Sequence, residues 1–124
     1  MLIQIKKIGP FSKDERGIAI GFETRPSEYL VILHRKKGTV SGSHYHKGIT
    51  QSKDPEIFFV VQGRARIIVT DIKSGETEEY IVEPNSMIEI PAFVYHEVHA
   101  LTDIIFLELD AKKEDFKTDT FYPD

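Results

Sequence analysis

Short runs of β-branched and aromatic residues, each closed by a turn cluster, leave this chain little alternative to β structure. GIAIGFET (17–24), YLVILHRK (29–36), EIFFVVQG (56–63) and RARIIVTDI (64–72) read as strands, and no segment carries helical spacing. LIQIKKI (2–8), TEEYIVE (77–83), SMIEI (86–90), HEVHAL (96–101) and DIIFLELD (103–110) continue the pattern. Turns are expected at GPFSKDER (9–16), Gln62-Gly63, KSGE (73–76), Pro84-Asn85 and Thr102. The charged tail AKKEDFKTDTFYPD offers Phe116, Phe121 and Tyr122 for burial. With no repeat, low-complexity tract or linker, residues 1–124 read as one all-β domain, a sandwich or barrel.

At 124 residues the chain can bury its own core. It has no cysteine, so disulfides and thiolate ligands are excluded and a metal site would rest on histidine and carboxylates. The net charge of −4, with lysine and arginine dispersed, argues against nucleic-acid binding. No apolar run is long enough for a bilayer, and lysines interrupt MLIQIKKIGP where a signal peptide would be apolar. A cytoplasmic protein with no membrane partner is expected.

HYH occupies residues 44–46 within a long polar passage, GTVSGSHYHKGITQSKDP. In a strand, alternation puts His44 and His46 on one face, close enough to converge on one ion, and Tyr45 on the other. The ordinary alternative packs Tyr45 inward and leaves both histidines in water. Glu56 opens a very apolar strand and shares a face with Phe58 and Val60, where a buried carboxylate needs a cation or hydrogen-bond donors. His96 shares a face with Val98 and Ala100. Taken singly, Glu56 reads as a solvated strand end and His96 as a half-buried histidine; together they would make three histidines and a glutamate near strand starts a coincidence.

These residues resemble the two motifs of the cupin superfamily. Gly38, His44, His46, Glu56 and Gly63 follow the first, G(x)5HxH(x)3–4E(x)6G, except that nine residues separate His46 from Glu56. Pro91 and His96 follow the second, while Asn85, Phe93 and Ala100 replace its two glycines and its asparagine. Motif 1 thus spans 38–63 and motif 2 spans 85–100. The resemblance implies a single cupin domain, a double-stranded β-helix or jelly-roll barrel, whose interior receives His44, His46, Glu56 and His96. It implies a site for a divalent transition metal, and zinc, iron, manganese, nickel and cobalt all suit such ligands. Gln51 competes with Glu56, because it stands where the unexpanded motif puts its carboxylate; the register of Glu56 with Gly63 favours Glu56. His99 falls on the face opposite His96. His34 alternates with Leu30 and Ile32, as a satisfied core histidine or as a proton-transfer group lining the barrel.

HYHKGIT, EIFFVVQGRARI and DTFYPD resemble the small cupins of polysaccharide and nucleotide-sugar biosynthesis, among them deoxysugar epimerases and ketoisomerases. The chemistry implied is removal of a proton next to a sugar carbonyl and its return elsewhere, in a small-molecule substrate such as a nucleotide sugar. In a metal-dependent version the base is another group, with His34 and Tyr45 the candidates. In a metal-free version His44 or His46 is the base. Lys47, Lys53, Arg64 and Arg66 are either diphosphate contacts or ordinary surface charges. An iron-dependent dioxygenase and a non-enzymatic metal or small-ligand binding module are the alternatives. Ile57, Phe59 and Val61 make the outer face of the Glu56 strand apolar too, which calls for a cover. A partner subunit is the expected cover, giving a homodimer; the chain's own N-terminal strands or tail would serve equally.

Overall fold

The computed structural model describes residues 1–26, 29–109 and 115–123; of residues 115 and 116 only the backbone is described, so Phe116 lies outside the described side chains. Eleven strands are formed among the described residues: β1 Gln4–Lys7, β2 Ser12–Asp14, β3 Gly17–Ala19, β4 Leu30–Arg35, β5 Val40–His44, β6 Glu56–Gln62, β7 Ala65–Asp71, β8 Thr77–Val82, β9 Ser86–Ile90, β10 Val94–Ala100 and β11 Ile104–Leu109. A 3-10 turn, Gln51–Lys53, precedes β6, and a one-turn helix, α1 Asp115–Thr118, follows β11. Where the sequence suggests only a turn at 9–16, β2 and β3 form a small hairpin, closed by Asp14, whose carboxylate accepts bonds from the backbone and guanidinium of Arg16.

A five-stranded sheet, β1-β9-β6-β11-β4, faces a four-stranded sheet, β5-β10-β7-β8, and every pairing is antiparallel. The all-β jelly-roll expectation is met. Alternation fills the space between the sheets: Val60 from β6, Ile67 and Val69 from β7, Ile88 and Ile90 from β9 and Phe106 from β11 are buried in one cluster. Each such aliphatic side chain contributes roughly 1.5–3 kcal/mol by leaving water.

The outer face of β6 is also covered at Ile57 and Phe59. Ile57 and Phe59 pack with Met87 and Leu109 beneath Ile8, Ile20 and Phe22, and the Phe22 and Phe59 rings lie 4.8 Å apart. The segment after β3 is therefore the lid over Ile57 and Phe59, so their burial does not require a partner subunit, whereas Val61, the third residue of that face, stays 43% exposed. Among the described residues no helix is long and apolar enough to cross a membrane.

The β6–β7 turn shows how tightly the barrel corner is closed. Gly63 has φ 88°, and a Cβ there would lie 2.2 Å from the carbonyl oxygen of Asp103. Gly63→Ala combines left-handed strain with a backbone clash, and we expect it to lower stability by roughly 2–3 kcal/mol. A fall in the denaturant midpoint with an unchanged slope would record it.

Candidate active site

β5 ends on His44, and β10 places His96 directly opposite it. The chain then leaves the sheet: Tyr45 bridges to Phe121, and His46 turns back toward the interior. The ring of His44 lies 4.8 Å from that of His46 and 4.9 Å from that of His96, and a ring nitrogen of each of the three falls within 4.8 Å of the others. Gly42 permits this approach. With φ 85° it sits at the register shift in the β5–β10 pairing, where a Cβ would come within 2.8 Å of the His96 carbonyl oxygen.

Glu56 reaches the same point from the facing sheet. Its Oε2 lies 2.8 Å from His46 Nε2 and its Oε1 lies 3.4 Å from His96 Nε2. Backbone carbonyls fix both rings: His46 Nδ1–H donates to Asp119 O, and His96 Nδ1–H donates to Val94 O at 3.3 Å. A carbonyl can only accept, so both imidazoles carry the Nδ1 proton and present Nε2 to the glutamate. The His46–Glu56 contact is close but poorly aligned, leaving His46 Nε2 a buried nitrogen without a directed hydrogen bond among the described residues.

Lys53 changes the charge balance of this cluster. Fully buried in the 3-10 turn, its ammonium lies 2.9 Å from Glu56 and 2.8 Å from Glu108 of β11. It is not a surface cation available to a diphosphate, as the polarity of its loop suggests, but the counter-ion of two buried acids. Burial opposes ionisation of Glu56, yet the neighbouring His46 and Lys53 outweigh it and hold the carboxyl well below the usual range. Glu108 goes the other way: burial, then the negative charge of Glu56, push it up to about 7. One ammonium thus keeps one of its two carboxylates firmly ionised.

The histidines differ in the same way. Burial, reinforced by its two histidine neighbours, depresses His44 to about 4, so at neutral pH it is an uncharged imidazole. Burial also lowers His96. For His46 burial acts downward, but Glu56 and the Asp119 carbonyl reverse it and the pKa rises.

Asp119 is fully buried and organises the loop behind His46. Its carboxylate accepts from Lys47 N at 2.8 Å and Thr50 N at 3.1 Å while its carbonyl holds the His46 ring. The Tyr122 ring stands edge-on to His44 at 6.3 Å.

A cavity of about 80 Å³ opens beside this cluster. His44, Glu56, His96 and Glu108 line it, and its remaining wall is mainly aliphatic and aromatic. At about 12 Å³ of such space per water it has room for roughly six waters, the size of a sugar ring rather than of a whole nucleotide sugar.

Of the residues singled out in the sequence, His44, His46, Glu56 and His96 are brought together. Gln51 is exposed on the 3-10 turn, which leaves Glu56 as the carboxylate facing the histidines. His34 does not line the barrel. β4 half-buries its Val31, Leu33 and Arg35 side and exposes Leu30, Ile32 and His34, the reverse of the expected phase. Tyr45 packs against Phe121 at 5.9 Å between ring centroids and is not among the cavity-lining residues, so neither proposed alternative base reaches the cluster. His99 is bound to Glu97 at 2.8 Å on the same strand. Arg64 and Arg66 face Glu83 and Glu79 at 4.0 and 2.7 Å, and Lys47 lies over the Phe121 ring at 4.1 Å. Sequence reasoning missed Glu108 and Asp119, and named Lys53 only as a diphosphate contact or surface charge. Glu108 carried a signal, because in DIIFLELD it shares a face with Ile104 and Phe106, as Glu56 does with Phe58 and Val60.

The three histidines and Glu56 fit a divalent transition ion in donor type, two imidazoles being held by Nδ1 with Nε2 free to coordinate. Lys53 counts against that fit, since it already neutralises Glu56.

Known structures share this fold. A dTDP-4-dehydrorhamnose 3,5-epimerase from Sulfolobus tokodaii is 23% identical, with 97% of this chain and 76% of that chain covered at a TM-score of 0.73. A 3,4-ketoisomerase from Helicobacter canadensis is 16% identical, covering 99% and 92% at 0.77. A mutant of the 3,4-ketoisomerase QdtA from Thermoanaerobacterium thermosaccharolyticum, in complex with TDP-4-keto-6-deoxyglucose, is 14% identical, covering 98% and 88% at 0.76. No protein of curated function matches by sequence. The model of the polysaccharide biosynthesis C-terminal domain matches residues 12–121. With its motif residues assembled inside a jelly-roll barrel, the chain belongs to the polysaccharide biosynthesis C-terminal domain family.

Proposed function

We propose that the protein is an isomerase or epimerase of nucleotide-linked sugars that moves a proton next to a sugar carbonyl. The observation that carries this reading is His44. It is an uncharged imidazole with no hydrogen bond among the described residues, facing a cavity that takes one sugar ring. The epimerases and ketoisomerases that share the fold support it, as does the family's link to polysaccharide synthesis.

In the reaction, His44 accepts the proton from the carbon beside the carbonyl. The C–H electron pair becomes the enolate double bond and the carbonyl oxygen takes the negative charge. Returning the proton to the opposite face of the same carbon inverts that centre. Delivering it to the former carbonyl carbon, while the proton of the adjacent hydroxyl passes to the former carbonyl oxygen, moves the carbonyl by one position. His46 and His96, locked by Asp119 and Val94, keep the ring of His44 in place, and the apolar wall excludes water from the enolate.

His44, His46 and His96 with Glu56 are the residues that would hold a divalent ion. A bound ion there supplies Lewis-acid stabilisation of the enolate oxygen. The Lys53–Glu56 pair supports instead a site in which the histidines act as acids and bases alone.

Incubation with TDP-4-keto-6-deoxyglucose in deuterated water, followed by mass spectrometry, tests the proposal. Incorporation of deuterium next to the carbonyl is expected, and to survive treatment with a chelator. Tight binding with no exchange would sink the isomerase reading. Loss of exchange on chelation, restored by a divalent ion, would assign the metal role. Oxygen consumption by iron-loaded protein in place of exchange would turn the reading to oxidation.

A further inference from the structure

We infer that Arg35 is the anion-recognition residue of this site and holds a phosphate of the substrate, an inference that rests on the nucleotide-sugar reading. Three observations carry it. Arg35 lines the cavity, on the inward side of β4 with Val31 and Leu33. Its guanidinium has no acidic partner among the described residues, and its one described bond is from Nη1 to the His34 carbonyl at 3.2 Å. The other cations first considered for a diphosphate are engaged: Lys53 with Glu56 and Glu108, Arg64 and Arg66 with surface glutamates, Lys47 over a phenyl ring.

A guanidinium has five N–H donors in a planar fork, suited to two oxygens of one phosphate. A half-buried one with a single bond to a carbonyl leaves most of that capacity for a ligand.

The position along the strand fits as well. Arg35 pairs across β4–β11 with Ile104, whereas Glu108 pairs with Val31. Four residues of strand put the two ends roughly 13 Å apart at the backbone. At one end Glu56, Glu108 and His96 are buried with His44 half-buried beside them, whereas Arg35 and Ser41 toward the other are both only half-buried. The cavity is thus a slot with proton-transfer groups at its closed end, aliphatic and aromatic walls between, and an unspent positive charge toward its open end. A sugar linked to a diphosphate has the same polarity: its reacting carbonyl enters first and its charge trails. An anion at the closed end would face Glu56, so the slot also sets the direction of entry.

Calorimetric titration of TDP and of inorganic pyrophosphate into wild type, Arg35→Met and Arg35→Lys tests the assignment, with thermal melts confirming that each variant is folded. Arg35→Met is expected to weaken TDP binding 10- to 100-fold and raise KM with little change in kcat. Arg35→Lys should recover part of the affinity, since it restores charge without the fork. Thymidine, which has no phosphate, should bind all three proteins alike. Equal TDP affinity for wild type and Arg35→Met would overturn the assignment and leave the nucleotide-sugar reading standing. Arg35-dependent binding of pyrophosphate with none of TDP would support the anion site and defeat the nucleotide reading. Binding of neither ligand to wild type would overturn the assignment, while the deuterium experiment still judges the reaction.

Discussion

Lys53→Met is expected to destabilise the protein by about 3–5 kcal/mol at neutral pH, the largest single effect we anticipate. The substitution keeps the length and apolar stem of the side chain but removes the one charge between Glu56 and Glu108, each 2% exposed. Two buried carboxylates then face each other with no counter-ion, and proton uptake by Glu108 is the cheapest relief. In the native protein the Glu108 pKa is already raised, from 4.5 to about 7. The stabilisation linked to that raised pKa is complete below 4.5 and is lost as pH rises through 7. Removing Lys53 raises Glu108 further, so the variant should fall increasingly behind wild type as pH rises above neutrality. Glu108→Gln on the Lys53→Met background should return part of the stability. Denaturant unfolding at several pH values decides the matter; a loss below 1 kcal/mol at pH 7 would show that water reaches the network.

His44→Ala is expected to cut solvent-deuterium exchange into the substrate by 10²- to 10⁴-fold, the range for loss of a general acid–base group. The effect should fall on kcat. Since the His44 pKa is depressed from 6.5 to about 4, the acid limb of kcat/KM in wild type should lie near pH 4. The same shift has a stability consequence of opposite sense to that of Glu108. The contribution from neutral His44 is present above 6.5 and drains away as pH falls toward 4, and the alanine variant should lack this component. Retention of exchange within threefold of wild type would remove His44 from the mechanism and point to His96, the other histidine lining the cavity.

The strands and the four-residue constellation were legible because each rests on spacing. His44, Glu56 and His96 keep their places in strands whatever the loops do, and His46 follows two residues beyond the end of β5. The phase of β4 was not legible for the opposite reason. VILHR is apolar on both sides, so alternation alone could not say whether Ile32 or Leu33 faces inward; pairing with β11 decides it, putting Leu33 across from Phe106 and Ile32 across from Leu107. His34 consequently faces outward and Arg35 takes an inward position. Lys53 was illegible in a stronger sense. It lies in a polar loop, and only the 3-10 turn at Gln51–Lys53 delivers its side chain to the barrel interior. The cover over Ile57 and Phe59 was readable as one of two options, and only packing chose between them.

Asp119 has a consequence for the order in which the protein takes shape. The ring of His46 is oriented by a carbonyl 73 residues further along the chain, and the loop behind it by the same residue's carboxylate. The strands of both sheets lie within residues 4–109, so all of their pairings use chain made before residue 119. Of the three clustered histidines, His46 is therefore the one whose orientation waits on the late-made segment that docks against Tyr45.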